Sequence, residues 1–87
     1  MEAVETRVAV IAIIVREGTQ VAVLNDLLHQ YGPYIVGRMG VPYREKGVNI
    51  ISVAMDAPGD VISALSGKLG LLEGVTAKTV YAPAGSV

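Results

Sequence analysis

The chain has 87 residues, a formal net charge of -1, 52% hydrophobic and 17% charged residues, and no cysteine. That length holds one domain, whose core would bury only about 60–65% of the unfolded chain's surface, so neighbouring chains are expected to supply part of the cover. The missing cysteine excludes disulfide scaffolds, thiolate metal sites and iron–sulfur clusters, and seven basic against eight acidic residues, spread without a block, leave no electrostatic footprint for a nucleic acid.

Residues 1–6 read as an N-terminal extension with Glu2 and Glu5 and no basic residue before Arg7, the opposite of a signal peptide's positive entry. The longest apolar run, Val8 to Val15, is far shorter than the roughly 20 residues that cross a bilayer, so a cytoplasmic protein without membrane association is expected. Arg7 to Arg16 is almost wholly β-branched and apolar at odd and even positions alike, which predicts a central strand covered on both faces. Glu17-Gly18 breaks it. Thr19 is placed to cap a helix, and Val21, Leu24, Leu27, Leu28 and Tyr31 form one helical stripe until Gly32-Pro33 stops the pattern.

Tyr34 to Val41 predicts a second strand, weakened by Gly37 and Gly40 and ended by Pro42, which suits a sheet edge. After the polar turn Tyr43 to Gly47, Val48 to Met55 predicts a third strand with little exposure. Asp60 lies where a carboxylate favours a helix N-terminus; Val61, Ile62, Leu65 and Leu69 share a face, and Gly70 is the expected stop. Gly74 to Tyr81 predicts a fourth, more polar strand, and residues 82–87 read as a flexible tail, leaving residues 7–81 as the single domain.

The order strand, helix, strand, strand, helix, strand is the α+β, ferredoxin-like βαββαβ arrangement: a four-stranded antiparallel sheet with both helices on one face. Its first and third strands occupy the middle of the sheet, and those are the most apolar segments here. Helices on one face leave the other bare, yet the first strand offers Val8, Val10, Ala12 and Ile14 on one side and Ala9, Ile11, Ile13 and Val15 on the other. The free monomer would expose an apolar patch of the kind that marks an interface, so a homo-oligomer, dimer or tetramer, is expected, with Val10, Ile14, Ile50 and Met55 as interface candidates.

Chemistry-bearing residues are sparse. His29 is the lone histidine and has only Asp26 near it in sequence, so no metal site is expected. Gly67-Lys68 lacks both the upstream glycine and the following hydroxyl residue of a phosphate loop, and Gly67 and Gly70 read as close-packing and helix-stop residues. Ser52, Ser63 and Ser66 have no placed base, and no carboxylate pair is recognisable, so neither enzyme activity nor a cofactor is expected. Arg38, Tyr43, Arg44 and Glu45 form the densest polar cluster. Two guanidiniums beside a Pro-containing turn can clamp a carboxylate or phosphate, although hairpin solvation with Arg–Glu pairing within or between chains is the favoured reading of the residues alone.

Leu27-Leu28-His29, the run Arg38-Met39-Gly40-Val41-Pro42-Tyr43-Arg44-Glu45, the run Ala64-Leu65-Ser66-Gly67-Lys68-Leu69-Gly70, Gly74-Val75 and Lys78-Thr79-Val80 together resemble the iron-only hydrogenase system regulator family over roughly residues 7–81. The resemblance implies an ACT-like domain, related to the C-terminal effector domain of nickel-responsive regulators and assembling through its sheets. Those relatives also carry a DNA-reading ribbon-helix-helix and ligate nickel with several histidines and a cysteine. Here about six residues precede the first strand, and the chain has one histidine and no cysteine, so neither direct DNA binding nor nickel sensing is expected. The expectation is an oligomeric regulatory module of the iron-only hydrogenase system. It would bind a small anionic effector or a partner protein at a chain interface through Gly18, Arg38, Tyr43, Arg44 and Glu45. The alternative is a protein-interaction or scaffolding subunit that takes no small ligand.

Overall fold

A computed structural model describes residues 5–19 and 21–83. Strand β1 (Arg7–Arg16) is followed by helix α1 (Val21–Gln30), a 3-10 turn (Gly32–Tyr34), β2 (Ile35–Tyr43), a second 3-10 turn (Arg44–Lys46), β3 (Val48–Ala57), α2 (Gly59–Gly70) and β4 (Val75–Tyr81). The sheet is antiparallel in the order β2-β3-β1-β4, so the two most apolar strands are central, as a ferredoxin-like βαββαβ fold requires.

Strict alternation along β1 buries Ala9, Ile11, Ile13 and Val15 and leaves Val8, Val10, Ala12 and Ile14 exposed. The buried set packs with Val53, Met55 and Ala57 of β3, Leu24 and Leu28 of α1, and Ile62, Leu65 and Leu69 of α2 into one core. The predicted stripes hold except at Val21, which is exposed at the start of α1: Leu27, Tyr31 and Val61 flank this core half-buried. Ser66 and Thr79 join α2 to β4 through a hydroxyl–hydroxyl hydrogen bond of 2.9 Å.

Several expectations are corrected. Met55 is fully buried on the helix-covered face and cannot belong to an interface on the bare one. It lies five residues from Ile50, an odd spacing that puts the two on opposite faces of a strand. Gly67 and Gly70 are not close-packing residues, since nothing lies within 4 Å of where a Cβ on either would sit. Nor does Gly70 end α2 in a left-handed conformation; positive φ is confined to Gly18, Gly47 and Gly74 among the described residues. Pro42 does not end β2, which runs on to Tyr43. An edge strand tolerates a residue without an N–H where the nitrogen faces away from the sheet.

Ala82, expected to begin a flexible tail, donates its N–H to the Val8 carbonyl at 2.9 Å and accepts a 3.0 Å bond from the Arg7 guanidinium, which also stacks over the Tyr81 ring. Residues 84–87 of that tail, residues 1–4 of the extension, and the Gln20 junction at which Thr19 was expected to cap α1 lie outside the described residues.

The register of β2 against β3 slips between Ile35 and Gly37, so Val36 is the extra residue of a β-bulge. Ile35 pairs with Met55 and is half-buried under the helices; beyond the bulge Gly37 pairs with Ala54 and Arg38 with Val53. Residues directly opposite in an antiparallel pair point to the same side, so the bulge exchanges the two faces of β2. Arg38, Gly40 and Pro42 are thereby turned to the helix side, and Met39, Val41 and Tyr43 to the bare side.

Candidate functional site

The bare face is read directly from the register. Across β4, β1, β3 and β2 it presents the rows Val80-Val10-Ala54-Gly37, Lys78-Ala12-Ser52-Met39 and Thr76-Ile14-Ile50-Val41. Lys78 is the one charge in these rows, and it stands on an edge strand. Val10, Ile14, Met39, Val41, Ile50 and Val80 are all exposed, Ile14 by 48% and Val80 by 68%. Of the interface candidates, the structure brings Val10, Ile14 and Ile50 together on this face and removes Met55 from it.

The second feature is a junction at the C-terminal end of β1. The Arg16 N–H donates to the Gly74 carbonyl at 2.8 Å, and the Glu17 N–H to the Gly47 carbonyl at 2.7 Å. The turns before β3 and β4 are thus tied to the turn after β1, and each of the three carries one of the positive-φ glycines. Gly74 is fixed twice over. Its φ of 79° suits glycine, and a Cβ there would overlap the Thr19 hydroxyl oxygen. Gly18, at φ 89°, has open space around it.

Among the described residues four cavities lie about the junction and the adjoining α1–β2 groove, one of them, of about 220 Å³, at Ile14, Arg16, Gly74, Val75 and Thr76. The largest, of about 480 Å³, is lined by Arg16, Glu17, Gly18, Thr19, Val23, Leu72, Glu73 and Gly74. The next, of about 270 Å³, lies between α1 and β2; Val21, Pro42 and the edge of Ile51 supply apolar walls, with Asn25, Arg38 and Asn49 as its polar groups. A third, of about 220 Å³, includes Glu17, Pro42, Arg44, Gly47 and Asn49. Gly18, Arg38 and Arg44 therefore line three separate cavities rather than one clamp. The second and third adjoin at Pro42 and Asn49, and the first and third at Glu17.

Arg38 donates a 3.3 Å hydrogen bond to the Asn25 side-chain oxygen on α1. Tyr43, on the other face of β2, reaches only Glu45, at 3.5 Å, so these two do not converge with Arg38. The sequence does not mark Asn25, Gly40 and Asn49 as lining residues: Gly40 reaches the helix side only through the bulge in β2, and Asn25 and Asn49 meet it from α1 and β3, which no local pattern joins. A glycine inside an otherwise β-rich run was the available signal. His29 is exposed on α1, and among the described residues no group of three His, Cys, Asp or Glu side chains is placed to hold a metal ion. Among the same residues no helix is long and apolar enough to cross a membrane.

The TM1266-like family model, described as "Iron-only hydrogenase system regulator, putative", matches residues 7–79. Among solved structures the chain is similar to that of uncharacterized protein TM1266 from Thermotoga maritima, with 38% sequence identity and a TM-score of 0.85 over 88% of this chain and 98% of that one. A search of curated proteins finds no match.

Proposed function

The chain belongs to the TM1266-like family, and on that premise we propose that it is an oligomeric, ACT-like regulatory module of the iron-only hydrogenase system that assembles through its bare sheet face and answers to a small anionic effector. The observation that carries the reading is the set of exposed apolar side chains in register across all four strands. A contiguous apolar face of this kind marks an interface. With a single charge in its three central rows, the face meets a copy of itself with little like-charge repulsion, and Lys78 on the edge strand keeps its ammonium in water while its stem is covered.

Regulation by such a module follows from linkage. An effector with higher affinity for one assembly or conformation shifts the population toward it by that difference in affinity. The cavities beside the β1–α1 turn and between α1 and β2 offer the space, and Arg38 and Arg44 the positive charge.

Sedimentation velocity at micromolar concentration tests the assembly. The wild-type chain is expected as a dimer or larger, and Ile14→Glu, which sets a carboxylate in the middle of the bare face, is expected as a folded monomer. A monomeric wild type overturns the reading. In a host that carries an iron-only hydrogenase, loss of the protein is expected to change hydrogen production, and Ile14→Glu to fail to restore it.

A further inference from the structure

The effector half of the preceding proposal leaves open which cavity binds and what chemistry it selects, and the charge on the cavity walls separates the candidates. The largest cavity has Arg16 but also Glu17 and Glu73, and the cavity containing Arg44 also has Glu17. An anion entering either meets at least one carboxylate, and a fourth cavity, at Arg16 and Gly74, has no acidic residue but lies beside Ile14 and Thr76 on the bare face that the assembly would cover. The α1–β2 cavity has Arg38 and no acidic residue on its walls.

We propose that the α1–β2 cavity is a binding site for a small aliphatic monocarboxylate, held by the Arg38 guanidinium at the polar rim with its hydrocarbon tail against Val21, Pro42 and the edge of Ile51. The inference rests on the effector reading above and assigns it a place and a ligand class. A guanidinium matches a carboxylate with two parallel hydrogen bonds, and a single such group balances one negative charge rather than the two of a phosphate. Among the described residues no carboxylate pairs with Arg38; its one side-chain partner is Asn25, whose bond orients the guanidinium between α1 and β2. Asn49 adds a second amide to the rim.

The apolar floor is the edge of Ile51 with the exposed Val21 and Pro42 beside it, since Val15 and Leu24 belong to the central cluster and are themselves fully buried. Gly40 keeps it open. It stands between Arg38 and Pro42 on the helix side of β2, and nothing lies within 4 Å of where its Cβ would be. Any larger residue at that position would project into the cavity. At roughly 30 Å³ for each water-sized group, 270 Å³ holds about nine non-hydrogen atoms, the size of a carboxylate with four to six further carbons. The bulge at Val36 makes the site, since without it Arg38 and Gly40 would face the bare side of the sheet.

The test is an amide-resolved NMR titration of the full chain with a series of aliphatic acids from butanoate to 4-methylpentanoate, with 4-methylpentanamide as the uncharged isostere. Saturable shifts are expected at Leu24, Asn25, Arg38, Gly40 and Ile51 with the acids and none with the amide. Arg38→Gln is expected to weaken binding about ten-fold or more, the loss of a charge-assisted hydrogen bond. Gly40→Val, which fills the cavity from a strand position that favours a β-branched residue, is expected to abolish binding while the spectrum remains that of the folded chain.

Absence of saturable shifts with every acid overturns the inference, as does equal binding of the amide or undiminished binding by both variants. Sedimentation of the same samples separates this from the assembly reading. An oligomer that binds no acid ends the ligand assignment and leaves self-association standing, whereas a monomer that binds acids at these residues does the reverse.

Discussion

The two faces of β1 carry nearly the same side chains and live in different surroundings. Ile13 is sealed under the helices, while its neighbour Ile14 is about half exposed on the bare side. A strand that had to satisfy only the monomer would place polar residues at Val8, Val10 and Ile14, because a sheet with one solvated face alternates apolar and polar. On the assembly proposed above, the departure from that alternation marks the surface a second copy would cover more sharply than any single residue does. Truncating each neighbour in turn breaks or supports this contrast. Ile13→Ala is expected to destabilise the chain by about 2–5 kcal/mol in denaturant unfolding, through lost burial and the cavity left behind. Ile14→Ala is expected to cost little in a dissociated sample and to weaken association instead. Equal unfolding penalties in dilute, monomeric samples would show that the bare face is already covered within one chain.

The same contrast between filled and open surroundings divides the glycines. Gly74 and Gly18 both have positive φ, but only Gly74 lies against another side chain. Gly18→Ala is expected to cost about 1–2 kcal/mol of backbone strain, and Gly74→Ala more, since the new methyl group also overlaps the Thr19 hydroxyl. A double-mutant cycle isolates that second part. Thr19→Ala removes the overlapping oxygen, so the pair Thr19→Ala with Gly74→Ala is expected to be more stable than the two single losses add up to. Strict additivity by thermal unfolding would mean that the turn shifts to make room, and that the junction at the end of β1 is looser than its hydrogen bonds indicate.

The elements legible in the chain were those whose pattern is local. The unbroken β-branched run of β1, the stripe Leu24, Leu28 and Tyr31, and the stripe Ile62, Leu65 and Leu69 fix strand and helices without reference to anything distant, and their order gives the topology. The odd spacing of Ile50 and Met55 already forbids them a common face. Which of the two faces the helices cover depends on how the chain crosses the sheet, and no local pattern states it. The grouping of Gly18, Gly47 and Gly74 joins turns far apart in sequence, and only the pairing of β1 with both β3 and β4 assembles it. The Arg38 cavity was illegible for a different reason: one extra residue at Val36 exchanges the faces of β2, and parity counted through Gly37 gives the wrong side for Arg38, Gly40 and Pro42.

The smallest expected effect concerns Gly67, inside α2 and exposed, with open space where its side chain would be. Glycine in a helix interior costs about 0.8–1 kcal/mol relative to alanine, and no close approach within the chain requires it here. Gly67→Ala is therefore expected to stabilise the isolated chain by about that amount in chemical unfolding. Association measured on the same variant sharpens the comparison of faces. If the bare sheet alone joins the subunits, association is unchanged by a methyl group on the outer surface of α2, which lies over the opposite face. A variant that is more stable but associates more weakly would place a second contact on the outer surface of α2, and the sheet face would then account for only one of the surfaces by which the chain assembles.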